Sequence, residues 1–284
     1  MKLVRFGEPG QEKPGLIDAS GVIRDLSAVI DDIDGTALGE QSLSHLRAID
    51  PASLPLVTGK PRLGSCIATP GKFVAIGLNY SDHAKETGSP IPEEPIVFYK
   101  TDTSICGPND DIIQPKNSTK LDWEAEIAIV IGSKAQYVDE QQAAQAIAGY
   151  CVVNDVSERA FQIDRGGSQW SKGKGCDTFG PTGPWMVTAD EIDDVQKLEM
   201  WLDVNGKRMQ SGNTATMIFN CVYLVSYLSQ FMTLMPGDII TTGTPPGVAL
   251  GRDPHPWLQP GDVISLGIEG LGEQRQTVVA WQAK

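Results

Sequence analysis

Apolar positions fall in short runs along most of the chain, separated by glycine, proline and small polar residues. Positions 1–6 alternate as a half-buried strand does, 7–14 are turn-rich, and 15–23 return as the second strand of a hairpin. Positions 27–49 carry a weak, polar helical pattern. Further strands are predicted at 73–77, 96–100, 121–131, 149–154, 198–204, 238–242 and 263–268. Asn205-Gly206 is a two-residue hairpin turn between 201–204 and 207–210, because both positions accept positive φ. Pro236-Gly237-Asp238 and Pro260-Gly261-Asp262 are turns leading into strands. Two segments show the helical period. One is 140–148, rich in Ala and Gln. The other is 218–232, where Ile218, Cys221, Val222, Val225, Leu228 and Met232 form one stripe. The Pro- and Gly-rich passage 51–71 predicts a boundary between a small N-terminal unit, 1–69, and a larger β-rich unit, 70–284.

Composition narrows the function classes. The 284 residues are 40% hydrophobic, enough for a packed core. They carry 23 Lys+Arg against 36 Asp+Glu, a formal charge of −13. That balance opposes binding to nucleic acid, which needs a basic surface to release counterions, and to anionic membranes. Positions 217–235 are interrupted by Asn220, Ser226, Ser229, Gln230 and Thr233 and do not make a span. No apolar stretch of signal-peptide type opens the chain, so a cytoplasmic location is expected. The five cysteines are scattered without a C-x-x-C pair, which predicts small buried residues rather than disulfides or a zinc site. His45, His83 and His255 are far apart, so a metal would rely on oxygen ligands, pointing to Mg, Mn or Ca.

Three groups of residues could carry chemistry. Glu124 and Glu126 are two apart in a predicted strand, so they share one face roughly 6.5–7 Å apart. On a half-buried face such a pair calls for a cation; on a solvent-facing edge strand it does not. Asp155 closes the apolar run 150–155 and is either a turn residue or a third ligand for an octahedral cation. His83 and Glu86 are i and i+3 on a short helix that Ser81 would cap and Gly88 would end. A carboxylate beside an imidazole orients the ring for water activation, though it is also a common surface pair. Arg159, Gln162, Lys172 and Lys174 fall in or before the Gly-rich stretch 169–180, where Gly173 and Gly175 would let backbone approach a ligand. This stretch reads as an anchor for an acidic substrate or as a mobile surface loop. It is not a P-loop, because Gly175 stands where Ser or Thr is needed, and no G-x-G-x-x-G follows a strand. Positions 241–248 offer hydroxyls and backbone N–H groups, or form only a tight turn.

Together these stretches resemble the fumarylacetoacetate hydrolase family. The matches are G-L-N-Y-x-x-H-x-x-E at 77–86, W-E-x-E at 123–126, N-D-x-x-x-R-x-x-Q at 154–162, K-G-x-D-T-F-G-P at 174–181 and T-G-T-P-x-G-V at 242–248. They occur in the family's order, from residue 72 onward. The resemblance implies an α+β, mainly β fold, with a C-terminal mixed β-roll and a small N-terminal α/β domain. It implies a metal on Glu124, Glu126 and Asp155, with Mg2+ first and Mn2+ or Ca2+ as alternatives. It implies that His83 and Glu86 activate water from a lid-like helix. It also implies that Tyr80, Arg159, Gln162, Lys174 and Thr244 meet the substrate, Lys174 serving catalysis as well. Some larger members carry a further metal-binding carboxylate just before the histidine segment. Ile76, Gly77 and Leu78 stand there in this chain, so waters or substrate would complete the shell.

The implied reaction is hydrolysis of a 2,4-diketo acid at C3–C4. The stretch 79–120, with G-S-P-I-P at 88–92 and F-Y-K-T at 98–101, is similar to sugar-acid catabolic members that cleave 2,4-diketo-3-deoxy-rhamnonate or -fuconate to pyruvate and lactate. Acylpyruvate hydrolysis, oxaloacetate decarboxylation and hydroxymuconate-type isomerisation are the enzymatic alternatives. A binding protein with a structural Ca2+ is the alternative of another class. The expected partners are a small anionic diketo acid and, from the resemblance, a second copy of the chain.

Overall fold

The structure, a computed structural model, describes residues 1–167 and 169–283. Two sheets dominate it. The larger has nine strands in the order β3 (Ile23–Asp25), β2 (Lys13–Ile17), β1 (Lys2–Phe6), β13 (Met186–Thr188), β10 (Ile147–Asn154), β9 (Ala125–Ile131), β16 (Ile239–Thr241), β4 (Phe73–Gly77) and β5 (Ile96–Lys100). The smaller has β15 (Lys207–Asn213), β14 (Glu199–Val204), β17 (Val263–Ile268), β18 (Gly272–Ala280) and β7 (Ile112–Gln114). Two short ladders pair β8 (Leu121–Asp122) with β11 (Ser157–Glu158), and β6 (Ile105–Cys106) with β12 (Gly180–Pro181). The helices are short: α1 (Glu40–Arg47), α2 (Ser81–Thr87), α3 (Glu140–Ala146), α4 (Ser171–Lys174) and α5 (Cys221–Ser229). This is the mixed architecture, mostly strands with few helices, that the resemblance implied.

Both faces of the central strand β9 are buried, which explains its near-continuous apolar sequence. Ile127, Ile129 and Ile131 pack with Leu202, Ile264 and Leu266 of the smaller sheet and with Leu224 and Leu228 of α5. Ala128 and Val130 face the other way and pack with Leu26, Ile33, Leu38, Leu43 and Leu46. Each such side chain contributes about 1.5–3 kcal/mol on full burial. The N-terminal segment thus does two things. Its hairpin extends the larger sheet, β1 pairing with β13 at Lys2↔Val187 and Leu3↔Met186. The chain after β3 then covers the back of that sheet.

The strands expected at 73–77, 96–100 and 263–268 are observed at those residues, and Asn205 and Gly206 have φ of 52° and 76° at their hairpin turn. Elsewhere local side-chain hydrogen bonds override the pattern. The expected strand 15–23 is split where Asp18 accepts from the Ser20 and Val22 N–H groups. The weak helix at 27–49 contracts to Glu40–Arg47, because Asp25 and Asp34 take the Ser27 and Thr36 N–H groups in turns. The run 121–131 is interrupted at 123–124, where Asp122 and Asn154 accept from the Trp123 and Glu124 N–H groups. α3 ends at Ala146 and β10 begins at the next residue. α5 starts only at Cys221, capped by Asn220, whose side chain accepts from the Tyr223 N–H. Cys66, Cys151 and Cys221 are buried, Cys106 and Cys176 half-buried, and all five are free thiols. No helix of the described residues is long and apolar enough to cross a membrane.

Candidate active site

Three carboxylates meet where β9 and β10 lie side by side. The pair is antiparallel, with Glu126 opposite Val153 and Ala125 opposite Asn154. Just beyond it, the Asp155 N–H donates to the Glu124 carbonyl at 2.9 Å, bringing the residues outside each strand together. One oxygen from each of Glu124, Glu126 and Asp155 lies within 4.8 Å of the others, and all three residues are buried. β9 is flanked by β10 and β16, so the edge-strand alternative does not hold.

Their charges are compensated unevenly. Lys174 Nζ bridges Glu124 Oε2 (2.6 Å) and Asp155 Oδ2 (2.8 Å). Lys100 Nζ lies 2.6 Å from Asp155 Oδ1, and Arg159 Nη2 lies 2.6 Å from Glu124 Oε1. Burial works to raise the Glu124 pKa, but Lys174 and Arg159 outweigh it and hold it below the ordinary value. Among the described residues Glu126 has one partner, the Gly243 N–H at 2.9 Å on Oε2, and its buried Oε1 has no hydrogen bond. Burial, and then the charges of Asp155 and Glu124, push the Glu126 pKa well above the ordinary value. Three converging hard oxygen donors, one of them unpartnered, fit a hard divalent cation.

The dyad sits on α2. His83 Nδ1 is 3.0 Å from Glu86 Oε2, and the Gly247 N–H donates to both Glu86 oxygens at 3.0 and 3.2 Å. Burial pushes the Glu86 carboxyl up, but His83 and the Gly247 N–H outweigh it and hold Glu86 below its usual range. Asn79 ties the start of this segment down: its amide donates to the Phe219 and Thr242 carbonyls and its oxygen accepts from the Phe219 N–H. Gly88 ends α2 in the left-handed conformation, as expected. Ser81 is not the cap. It is the first helical residue, its hydroxyl donating to the Thr216 carbonyl, and Tyr80 occupies the cap position.

His83, Glu124, Glu126, Arg159, Gln162, Lys174 and Thr244 line one cavity of about 220 Å3, with Asp155 behind it. The stretch 169–180 is not a surface loop at this point. A Cβ on Gly173 would lie 2.4 Å from the Gln162 nitrogen, and one on Gly175 would lie 2.9 Å from Thr101. These glycines admit neighbouring chain, not ligand, and the close contact drives Lys174 into the interior. Lys172 stays outside, donating to the Arg165 carbonyl. Arg159 donates to Asp122, to Glu124 and to the side-chain amide oxygen of Gln162. The Thr244 hydroxyl is engaged by protein, donating to the Ala125 carbonyl and accepting from Gln210. Tyr80 does not join the site. It is fully buried, and its hydroxyl faces the Met200 sulfur at 3.3 Å, so it is a core residue beneath the smaller sheet.

Three residues outside the expected set belong here. Lys100 ends β5 as the charged member of an apolar run, a weak signal. Asp122, just before the W-E-x-E motif, accepts from Arg159 and from the Ala249 and Leu250 N–H groups. Trp170 lines the cavity and carried no signal. A wider cleft, about 1080 Å3, lies between β7 and the end of the chain and shares no residue with the triad or the dyad.

A family model described as "Fumarylacetoacetate (FAA) hydrolase C-terminal" matches residues 72–279. The chain is 60% identical over 278 residues to a Burkholderia cenocepacia protein named "Putative hydrolase", covering 98% of each. Among solved structures, fumarylacetoacetate hydrolase from Exiguobacterium antarcticum superposes with a TM-score of 0.87 at 33% identity, over 99% of this chain and 100% of that one. A 5-carboxymethyl-2-hydroxymuconate delta-isomerase from Mycobacterium smegmatis gives 0.76 at 33% identity, over 100% of both chains. Maleylpyruvate hydrolase from Sphingobium, in complex with manganese(II) and pyruvate, gives 0.83 at 26% identity, over 99% and 100%.

Proposed function

The chain belongs to the fumarylacetoacetate hydrolase family, and on that premise we propose that it is a metal-dependent hydrolase of a 2,4-diketo acid. The substrate in this reading is 2,4-diketo-3-deoxy-rhamnonate or -fuconate, cleaved at C3–C4 to pyruvate and lactate. One observation carries it: His83, held by Glu86, lines the same cavity as Glu124 and Glu126 of the buried carboxylate triad. The manganese and pyruvate held by the Sphingobium relative support the same choice of chemistry.

Glu124, Glu126 and Asp155 would hold Mg2+ or Mn2+. Such a cation supplies Lewis acidity toward the carboxylate and 2-keto oxygens of the substrate. Glu86 fixes His83 through Nδ1, leaving Nε2 to take a proton from water. The water oxygen bonds to C4, the C3–C4 bond breaks, and C3 takes up a proton, so one water is consumed per pyruvate released. Arg159 occupies the Gln162 oxygen and so leaves the Gln162 N–H groups to donate to oxygen charge developing at C4. Lys174, bridging two carboxylates, adds positive charge at the same wall. A small anionic diketo acid and a second copy of the chain are the partners in this reading.

The test is pyruvate release from a 2,4-diketo-3-deoxy sugar acid, acetylpyruvate and oxaloacetate, with Mg2+ or Mn2+ and with EDTA. The expected result is metal-dependent pyruvate, with kcat/KM for the sugar acid about tenfold or more above the others. Turnover of acetylpyruvate alone would keep hydrolysis and overturn the substrate; turnover of oxaloacetate alone would keep the site and replace hydrolysis by decarboxylation. The likeness to a hydroxymuconate isomerase favours a second reading, in which the cavity moves protons without adding water. A muconate-type substrate isomerised without release of pyruvate would select it.

A further inference from the structure

Among the described residues the rest of the cavity wall is uncharged. Leu78, Ile96, Phe98, Ile163, Trp170 and Leu250 supply its larger side chains beyond the triad and the dyad. The Thr87 hydroxyl is turned to protein: it donates to the His83 carbonyl at 3.1 Å and lies 3.0 Å from the Ser89 hydroxyl. Trp170 is a fixed wall. A Cβ on Gly77 would lie 2.1 Å from the indole, so the ring rests directly on the β4 backbone. The Phe98 ring, on β5, lies 5.5 Å from it.

The cations of the cavity are spoken for. Among the described residues only Arg159 and Lys174 line it as permanent cations, and each is committed to two carboxylates. Around the triad, Asp122, Glu124, Glu126 and Asp155 face Lys100, Arg159 and Lys174, one more negative charge than positive. A divalent cation would turn this into a single positive charge, which one substrate carboxylate neutralises. Glu86 adds a negative charge nearby. A second carboxylate on the substrate would therefore lose part of its water against largely apolar walls and find no free cation among the described residues.

We infer that the cavity takes a diketo acid with a single carboxylate and an uncharged acyl group, and that it rejects acids whose acyl end carries a second carboxylate. Trp170 and Ile163 are its specificity-determining walls. The inference rests on the hydrolase reading for the nature of the substrate, and it divides acylpyruvates by charge rather than by length.

Butanoylpyruvate and succinylpyruvate have four-carbon acyl groups that differ in the terminal carboxylate, and they separate the two properties. Their binding to the Mn2+-loaded His83→Ala protein is measured by calorimetry, and their kcat/KM with the wild-type enzyme. The expected result is binding of butanoylpyruvate about thirtyfold or more tighter. Ile163→Arg, at a half-exposed position that tolerates a long side chain, should cut that ratio about tenfold by strengthening succinylpyruvate. Equal or tighter binding of succinylpyruvate to the Ile163 form overturns the inference, as does an Ile163→Arg ratio that does not move. The expected ratio without hydrolysis of either acid by the wild type would overturn the hydrolase reading and leave the charge selection standing. Binding of neither overturns both.

Discussion

Glu124 and Glu126 are two residues apart and have opposite local support, which separates their effects on the metal-free protein. Glu124 is bonded by Lys174 and Arg159, whereas Glu126 has an unpartnered oxygen and two carboxylate neighbours. With EDTA present, Glu124→Gln should destabilise by about 3 kcal/mol, because it leaves buried cations short of a partner. Glu126→Gln should stabilise by about 1 kcal/mol, because an amide puts N–H donors beside Asp155 and Glu124 in place of a carboxyl whose charged form burial and those carboxylates disfavour. Both should abolish the rise in Tm that Mn2+ gives the wild type. A fall in metal-free Tm for Glu126→Gln would show that Glu126 has support the geometry does not reveal. His83 bonds Glu86 and not the triad. His83→Ala should thus lower kcat by about 10²–10⁴-fold while Mn2+ affinity stays within a few-fold. A matching loss of Mn2+ affinity would move His83 into the metal centre. The dyad and the two glutamates were legible because their partners lie two or three positions away in the chain. Lys100 was not, since its partner Asp155 is 55 positions distant.

At the scale of elements, the arrangement of α4 decides whether Lys174 reaches the triad. α4 is only four residues long, and its Gly173 sits against the backbone of the helical turn Ala160–Asp164 and of β11. A Cβ there would lie 2.4 Å from the Gln162 nitrogen and 2.5 Å from the Glu158 oxygen. Neither atom is the end of a flexible side chain, so the two segments must separate. Gly173→Ala should cost about 1–3 kcal/mol and lower kcat, since both Lys174 and Gln162 are displaced. Chemical denaturation and steady-state kinetics check this; unchanged kcat with lowered stability would detach α4 from catalysis. The sequence pointed to Lys174 but misread its glycines as room for a ligand. Their actual neighbour is the chain itself, more than ten residues away. β18 was missed for a related reason. Its inward positions are Gln274 and Gln276, which read as solvent-facing but are buried, bonding the carbonyls of Val152, Gly183 and Pro108. A polar side chain that satisfies backbone in the core erases the alternation by which a strand is recognised.

At the scale of the whole molecule, the two faces of the larger sheet have different tasks, and the hydrophobic pattern alone did not assign them. The front face, with the smaller sheet and α5, carries the site at its edge. The back face is closed by the N-terminal segment, whose weak helical pattern gave little sign that Leu26, Ile33 and Leu38 would cover β9. The cover is also held by charge. Arg62 donates to both Asp110 oxygens at 2.7 and 2.5 Å and to Glu12 at 2.9 Å, with Arg5 3.7 Å from the other Glu12 oxygen. Glu12 lies in the loop between β1 and β2, whereas Asp110 follows β6, so the network joins segments that are distant in sequence. Burial raises the Glu12 carboxyl, but the Arg62 hydrogen bond, its own backbone N–H and the two arginine charges prevail and hold it below its ordinary value. A carboxyl depressed in the folded state contributes stability above its unfolded value, about 4.3, and loses it as pH falls through the folded one. Glu12→Gln should accordingly lower Tm by about 2 °C at pH 7, the scale of a partly exposed ion pair of about 1 kcal/mol or less. Between pH 7 and pH 3 the difference should narrow, because the unfolded carboxyl takes up its proton in that range and the advantage of the depressed folded one is lost. A gap of the same size at both pH values would mean that Glu12 acts through packing against Gly64, where its side chain fills the space a Cβ would need, and not through its charge.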